Sequence, residues 1–407
     1  MTDPRHIRIE DFDYALPQDS IAAHPLALRE ESKLLVYTKG ILTEKKFSDL
    51  PELALDQYHF ILNDTRVIHA RLHFHKATGG VVEIFCLEPM GISMEQGLEK
   101  KHECRWKCLV GGAKKWKGRE VLTAAFGKLD LQELTLSAQM EEPVHDGFII
   151  HFRWQPGHLS FSEVLEAAGI IPLPPYFNRE AEASDELRYQ TVFATHEGSV
   201  AAPTAGLHFT REIIETLKSN GSRISFLTLH VGAGTFKPVT SSILGEHIMH
   251  HEYFSVHRSV IEMLILSEKK IIPVGTTSLR SLESLYWLGV KLLTGKFQSE
   301  QQFSLEQWEA YELNDHEIPK EESLISLLKY LDSRGEEFLC ARTALLLAPG
   351  YRFRIAKGII TNFHLPKSTL ILLIAALVGK DWRLIYDFAL SNRYNFLSYG
   401  DSSLLLP

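Results

Sequence analysis

The sequence predicts an α/β main domain interrupted by an inserted antiparallel β unit that closes into a barrel. Three observations carry this reading. Strand–loop–helix units recur after about residue 155, which points to a largely parallel sheet with sites at the loop ends. Residues 70–155 instead hold short β-like runs between turn clusters, without a helical period. The chain has 407 residues, 45% hydrophobic and 23% charged, enough for two or three ordinary globular domains at about 150 residues each. The expected division is 1–69 and 156–407 for the α/β domain and 70–155 for the β-barrel.

Taken in order, 34–37 and 59–62 read as short buried strands, and Asn63-Asp64-Thr65-Arg66 as a polar turn. Val81–Leu87, Trp106–Val110 and Phe148–Trp154 are the β runs of the insert, with turns at Thr78-Gly79-Gly80 and Gly111-Gly112. Ser160 and Glu163 make a capping box that opens a short helix, and Gly169 closes it. Ile170-Ile-Pro-Leu-Pro-Pro175 is extended, because proline restricts itself and its neighbour. Thr210 caps a helix over Arg211–Ser219, and Arg223–Val231 is an apolar strand. Ile271–Val274 runs through Gly275-Thr-Thr-Ser278 into a helix reaching Leu288. Gly358–Thr361 repeats that plan, with a polar loop over 362–367 and a cap at Ser368. Residues 291–342 are acidic and rich in Glu and Gln, and read as an insertion on the surface.

Composition excludes several classes. Four scattered cysteines (Cys86, Cys104, Cys108, Cys340) do not make a disulfide framework. Asp3, Arg5, His6 and Arg8 stand where an export signal needs an apolar core, so a cytoplasmic location is expected. The longest apolar run, Leu370–Val378, is far short of the roughly 20 residues that span a bilayer. A net charge of −8 argues against a surface uniformly coated with cations, though not against a local basic face.

Four loops concentrate chemistry. The first is Ser199-Val-Ala-Ala-Pro-Thr-Ala-Gly-Leu-His-Phe-Thr210, whose small residues allow close approach beside Thr204, Gly206 and His208. The others are His230-Val-Gly-Ala-Gly-Thr-Phe236, Glu246-His-Ile-Met-His-His-Glu-Tyr253 and Thr361-Asn-Phe-His-Leu-Pro-Lys-Ser-Thr369. Their inventory suits proton transfer beside a bound anion. Blander readings compete. His230 alone at a strand end is more often a hydrogen-bonded structural residue. Gly232-Ala-Gly234 lacks the third glycine of a dinucleotide fingerprint. Gly275–Ser278 is either a helix cap or an anion seat with Arg280. Glu246, His247, His250 and His251 lack an HExxH pattern, and Cys104 and Cys108 are spaced too widely for CxxC, so no metal is expected. Gly289 to Lys296 fails as a phosphate loop by one residue. Basic residues interleave with aromatics at Lys101–Lys107, Lys114–Arg119 and Tyr351–Arg354, which is either nucleic-acid binding or a solvated face.

Taken together, Leu62-Asn-Asp-Thr-Arg-Val67, Arg188-Tyr-Gln-Thr191, Gly198–Thr210, Thr228–Phe236, Glu246–His250, Val274–Ser278, Pro349–Phe353, Thr361–Thr369 and Ser398-Tyr-Gly-Asp401 resemble the S-adenosylmethionine:tRNA ribosyltransferase-isomerase family of queuosine biosynthesis. The resemblance runs from Asp11-Phe-Asp-Tyr14 nearly to the end. It implies an α/β domain with an inserted β-barrel. It also implies transfer and isomerisation of the ribosyl part of S-adenosylmethionine onto 7-aminomethyl-7-deazaguanine at the tRNA wobble position. Epoxyqueuosine forms, and adenine and methionine leave. S-adenosylmethionine is then a consumed co-substrate, no separate cofactor or metal is required, tRNA is the partner, and a monomer without membrane attachment is expected.

On this reading His208, His230, Glu246 and His250 contain the catalytic base and acid. Thr204, Gly206, Gly232, Gly234, Thr276, Thr277, Ser278, Arg280, Asn362, His364, Tyr399 and Asp401 are the substrate-binding candidates. Lys114, Lys115, Arg352 and Arg354 are the candidates for tRNA. The chain departs from the family pattern at Ala23-His24-Pro25, at Lys33 and at Leu345-Leu-Leu-Ala348; Lys33 keeps charge but not the planar fork of arginine. Three other classes compete: a non-catalytic tRNA-binding protein, a methyltransferase and a zinc hydrolase, the last decided by metal analysis of the purified protein. A non-catalytic tRNA-binding protein would release no adenine. A methyltransferase would carry a glycine-rich loop after its first strand, where Thr38-Lys39-Gly40 stands instead.

Overall fold

The computed structural model describes residues 3–53, 55–76, 79–116, 120–129, 132–232, 239–297 and 303–407. Gly234, Thr78 and residues 117–119 of the second basic cluster lie outside them. The main sheet has six strands in the order Lys270–Pro273, Tyr58–Asn63, Arg223–Leu229, Glu252–His257, Phe338–Thr343 and Ser304–Leu305. The first three are mutually parallel, as the strand–loop–helix repeat predicts. Glu252–His257 then runs antiparallel to both of its neighbours, so the sheet is mixed. The reason is local: among described residues, the connection after Leu229 carries only the single 3-10 turn Leu244–Glu246. Without a crossover helix the chain returns antiparallel.

A second sheet, ordered Ile359–Asn362, Ser402–Leu406, Lys33–Thr38 and Ile41–Lys46, ties the carboxyl end to the amino end. Parallel bridges at Ile271–Ala356 and Val274–Ile360 join it to the main sheet. The helices behind the expected loops start on their expected caps. Thr210 Oγ1 accepts from Ile213 N at 3.2 Å, and Ser368 Oγ from Ile371 N at 3.3 Å.

The third sheet is wholly antiparallel. Its six strands, from Arg71–His75 to Gly147–Gln155, follow the order Arg71–His75, Val81–Pro89, Glu103–Gly111, Gly147–Gln155, Gln132–Val144 and Val121–Leu129. The two end strands meet, with Phe74 edge-on to Phe126 at 6.1 Å, so the sheet curls into a barrel-like form. The Ser160–Glu163 capping box forms as expected and starts the helix Phe161–Ala168. Its first residue, Phe161, packs on Trp106, Phe152 and Trp154 and fills the core of this sheet.

Segment 291–342 is no appendage. Its helix Lys320–Arg334 buries Leu324, Leu327 and Leu331 completely. It lies so close to the helix Thr276–Leu293 that Ser326 Oγ donates to Gly289 O at 2.9 Å. Its strand Phe338–Thr343 belongs to the main sheet. The acidic composition masks an amphipathic helix: charge on one face, leucine on the other.

Candidate functional site

The parallel strands end on one side of the sheet, and three loops meet there. Tyr58–Asn63 leads to the Asn63–Thr65 turn, Lys270–Pro273 to Gly275, and Ile359–Asn362 to the loop of His364. With the Pro203–Ala205 segment, the second and third of these loops enclose a cleft lined by Thr204, Gly275, Thr276, Thr277, Asn362 and His364, while the Asn63–Thr65 turn reaches His230. Gly275 has φ 89, a conformation that glycine adopts at little cost, and it opens the 18-residue helix Thr276–Leu293 toward this cleft. The free N–H groups of that first turn favour an anion.

His208 is buried behind the cleft wall. Its Nδ1 lies 2.9 Å from Ser32 Oγ. Asn362 Nδ2 donates to its Nε2 at 3.2 Å, and Thr204 Oγ1 donates to Asn362 Oδ1 at 2.9 Å. That assignment places the His208 proton on Nδ1. Burial lowers the imidazole pKa to about 4, so the ring is neutral at pH 7. Both ring nitrogens are engaged. The line His208–Asn362–Thr204 therefore fixes the Thr204 hydroxyl as a donor to Asn362 and leaves its lone pairs for a ligand. His364 is similar: Nε2 lies 3.0 Å from Thr361 Oγ1, and burial lowers its pKa to about 3.

The other three predicted catalytic groups stand elsewhere. His230, Gly232 and His250 line a neighbouring cleft between the main sheet and the barrel-like sheet, and Glu246, Gly232, His250 and Arg280 line its continuation. His230 Nδ1 lies 2.9 Å from Thr65 Oγ1, and its Nε2 lies 3.3 Å from Glu95 Oε1. Glu95 comes from the helix Met94–Leu98, between the strands Val81–Pro89 and Glu103–Gly111, and its hydrogen bond to His230 lowers its pKa to about 2. Sequence reasoning missed Glu95, because only the fold brings it to His230. The one signal available was the capping box of Ser93 and Gln96 that starts its helix. Glu246 is exposed, and His250 Nε2 stands 3.8 Å from Asp146 Oδ2 at a hairpin tip of the barrel-like sheet.

Several predicted contacts take other roles. Gly206 makes room for its own packing: an added Cβ would stand 2.9 Å from Phe193 and 3.0 Å from Thr191. Ser278 is buried in the helix and does not line the cleft. The Arg280 guanidinium pairs with Glu252, donates to Leu345 O and lines the neighbouring cleft, so it does not face Gly275 as an anion seat. Asp401 accepts from Lys33 N and Asn395 N, both at 2.7 Å, and clips the second sheet together. Tyr399 donates to Asp185 at 2.8 Å. Arg354 stacks on Tyr286 and Trp287 and donates to Asn314, which leaves it unsuited to tRNA. Arg352 is exposed, 3.7 Å from Glu317. Lys114 is exposed on the turn Ala113–Lys115, which Lys115 ends. Among the described residues no three His, Cys, Asp or Glu side chains are grouped to hold a metal, and no helix is long and apolar enough to cross a membrane.

An α/β sheet with clefts at its strand ends, joined to a barrel-like sheet whose connecting helix Met94–Leu98 brings Glu95 to His230, is the frame of an enzyme. The chain belongs to the queuosine biosynthesis protein family, which it matches over residues 9–405. It is 37% identical to the S-adenosylmethionine:tRNA ribosyltransferase-isomerase of Azoarcus sp. (strain BH72), covering 98% of this chain and 97% of that one. It is 36% identical to the same-named protein of Syntrophotalea carbinolica, covering 98% and 100%. A solved structure of an S-adenosylmethionine tRNA ribosyltransferase from Thermotoga maritima is 26% identical, covers 97% of this chain and 99% of that chain, and superposes with a TM-score of 0.45.

Proposed function

We propose that this chain transfers and isomerises the ribosyl moiety of S-adenosylmethionine onto 7-aminomethyl-7-deazaguanine in tRNA, with release of adenine and methionine. The observation that carries the reading is family membership from residue 9 to 405, with relatives of that name aligned end to end. The reading places the protein with tRNA in the cytoplasm and needs no cofactor beyond the consumed S-adenosylmethionine.

The chemistry has four demands. A proton beside the sulfonium must be removed, adenine must be helped away, the aminomethyl nitrogen must attack while neutral, and an alkoxide must close the epoxide and expel methionine. The free N–H groups at Thr276 and Thr277 suit the methionine carboxylate. The lone pairs of Thr204 suit the sulfonium or a ribose hydroxyl, and His208 acts through Asn362 to hold that hydroxyl in place. Proton transfer falls to His230, whose imidazole the Glu95 carboxylate and the Thr65 hydroxyl orient. His250 lines the same cleft and Glu246 its continuation. Lys114 and Arg352, both exposed, are left for tRNA phosphate.

The test is to incubate the protein with S-adenosylmethionine and tRNA bearing the precursor base. Adenine and methionine should appear together. S-adenosylhomocysteine in their place would make it a methyltransferase, and tRNA binding without adenine would make it a binding protein.

A further inference from the structure

Two arginines to which the sequence assigned no role line a cleft beside His208. Arg29 and Arg188 stand there with Ser32, Leu207, Ser398 and Tyr399. Their hydrogen bonds among the described residues go to backbone carbonyls alone. Arg29 Nη1 donates to Gln190 O at 3.3 Å, and Arg188 donates to Ala27 O at 3.2 Å and to Leu26 O at 2.6 Å. No carboxylate pairs with either of them among those residues. The other partly buried arginines nearby behave differently: Arg179 makes a two-pronged pair with Asp185 at 2.7 and 2.9 Å. Burial and then the charge of Arg188 lower the proton affinity of Arg29, and the charge of Glu30 offsets them only in part.

The cleft adjoins the candidate site. Ser398 lines both clefts, and His208 at its wall is hydrogen-bonded to Asn362 of the other. Leu26, 45% exposed, lines it toward solvent, and the exposed Leu28 and Leu187 directly precede the two arginines in sequence. Two forked guanidiniums without a carboxylate are matched to an oxyanion. Within the proposed reaction that oxyanion is either a tRNA phosphodiester or the methionine carboxylate. The carboxylate has its own seat at the Thr276 helix start, and a cleft that reaches solvent admits a polymer.

We propose that Arg29 and Arg188 clamp one phosphodiester of the tRNA strand that delivers its base to the Thr204–Asn362 cleft. The assignment rests on the function proposed above. It deepens that function by giving the strand an anchor next to the site, in place of Arg354, whose guanidinium is occupied.

The experiment is equilibrium binding of precursor tRNA to the full chain over a salt series, with KM for S-adenosylmethionine measured in parallel. Arg29→Gln removes only one backbone contact and is the main variant; Arg29→Lys keeps the charge. Arg29→Gln should weaken tRNA binding about tenfold at low salt and reduce the slope of log affinity against log salt by about one. KM for S-adenosylmethionine should stay within about twofold. Arg29→Lys should keep the salt slope. A raised KM for S-adenosylmethionine with an unchanged tRNA slope would assign the clamp to the methionine carboxylate and overturn the proposal. No change in either quantity would overturn it as well. The salt slope is read without turnover, so a failure of the proposed reaction would appear separately, as intact wild-type tRNA binding without adenine release.

Discussion

Gly198→Ala is the sharpest single perturbation of the His230–Glu95 pair. Gly198 lies in the short strand His196–Ser199 at φ 141, and a Cβ there would stand 2.5 Å from Met94 Cγ and 2.8 Å from both Cε1 and Nδ1 of His230. The Met94 side chain is flexible and can swing away. The imidazole cannot, because Thr65 holds it at 2.9 Å on one side and Glu95 at 3.3 Å on the other. Restoring ordinary contact means moving the ring by roughly half an ångström to one ångström, which breaks at least one of those bonds. Backbone strain at a positive φ costs about 1–3 kcal/mol, and overpacking costs a similar amount. A stability loss of about 3 kcal/mol is therefore expected in urea unfolding. Displacing a proton-transfer group by about 1 Å costs on the order of 100-fold in rate. Initial rates of adenine release read the second effect. Adding Met94→Ala should not rescue the rate, since the clash with His230 remains. A Gly198→Ala protein with stability within about 0.5 kcal/mol of wild type and unchanged turnover would refute the reasoning.

Other expectations follow from the same geometry. A Cβ added at Gly289 would come within 2.2 Å of Ser323 O, a backbone atom that cannot turn aside. Gly289→Ala should therefore destabilise by about 1–3 kcal/mol despite alanine's better helix propensity; an unchanged denaturation midpoint would mean that helix 320–334 is not part of the core. Three buried histidines, His59, His208 and His364, have pKa values lowered to about 4, 4 and 3. The unfolded chain takes up those protons first, near pH 6.5. Stability should thus be constant above that pH and fall between about pH 6.5 and about 3–4, by several kcal/mol at about 1.4 kcal/mol per unit per group. Urea titrations at stepped pH check this, and His364→Gln should flatten the slope.

Local signals carried far. The caps at Ser160, Thr210 and Ser368 set helix starts because side chain and backbone donor lie three residues apart. The short β runs between residues 70 and 155 mark an antiparallel sheet because each strand needs only its own local pattern and a turn to the next. What stayed hidden depends on distance. Composition alone could not show that Leu324, Leu327 and Leu331 face the core beside the Thr276–Leu293 helix. Glu95 and His230, 135 residues apart in sequence, become partners only when the helix Met94–Leu98 packs beside the main sheet. Asp401 was legible as a polar residue beside glycine, but its two backbone partners, Lys33 N and Asn395 N, come from different parts of the chain. Arg29 was legible as a charge beside Glu30 and Glu31; that neither carboxylate pairs with its guanidinium is a property of the fold.

The most direct measurement follows the ribosyl carbons. S-adenosylmethionine labelled with carbon-13 in its ribose is supplied with precursor tRNA, and the wobble nucleoside is isolated for mass spectrometry. The account predicts that the nucleoside gains the labelled ribosyl unit, with one adenine and one methionine released for each. A nucleoside that gains only a methyl group, or none of the label, would contradict it.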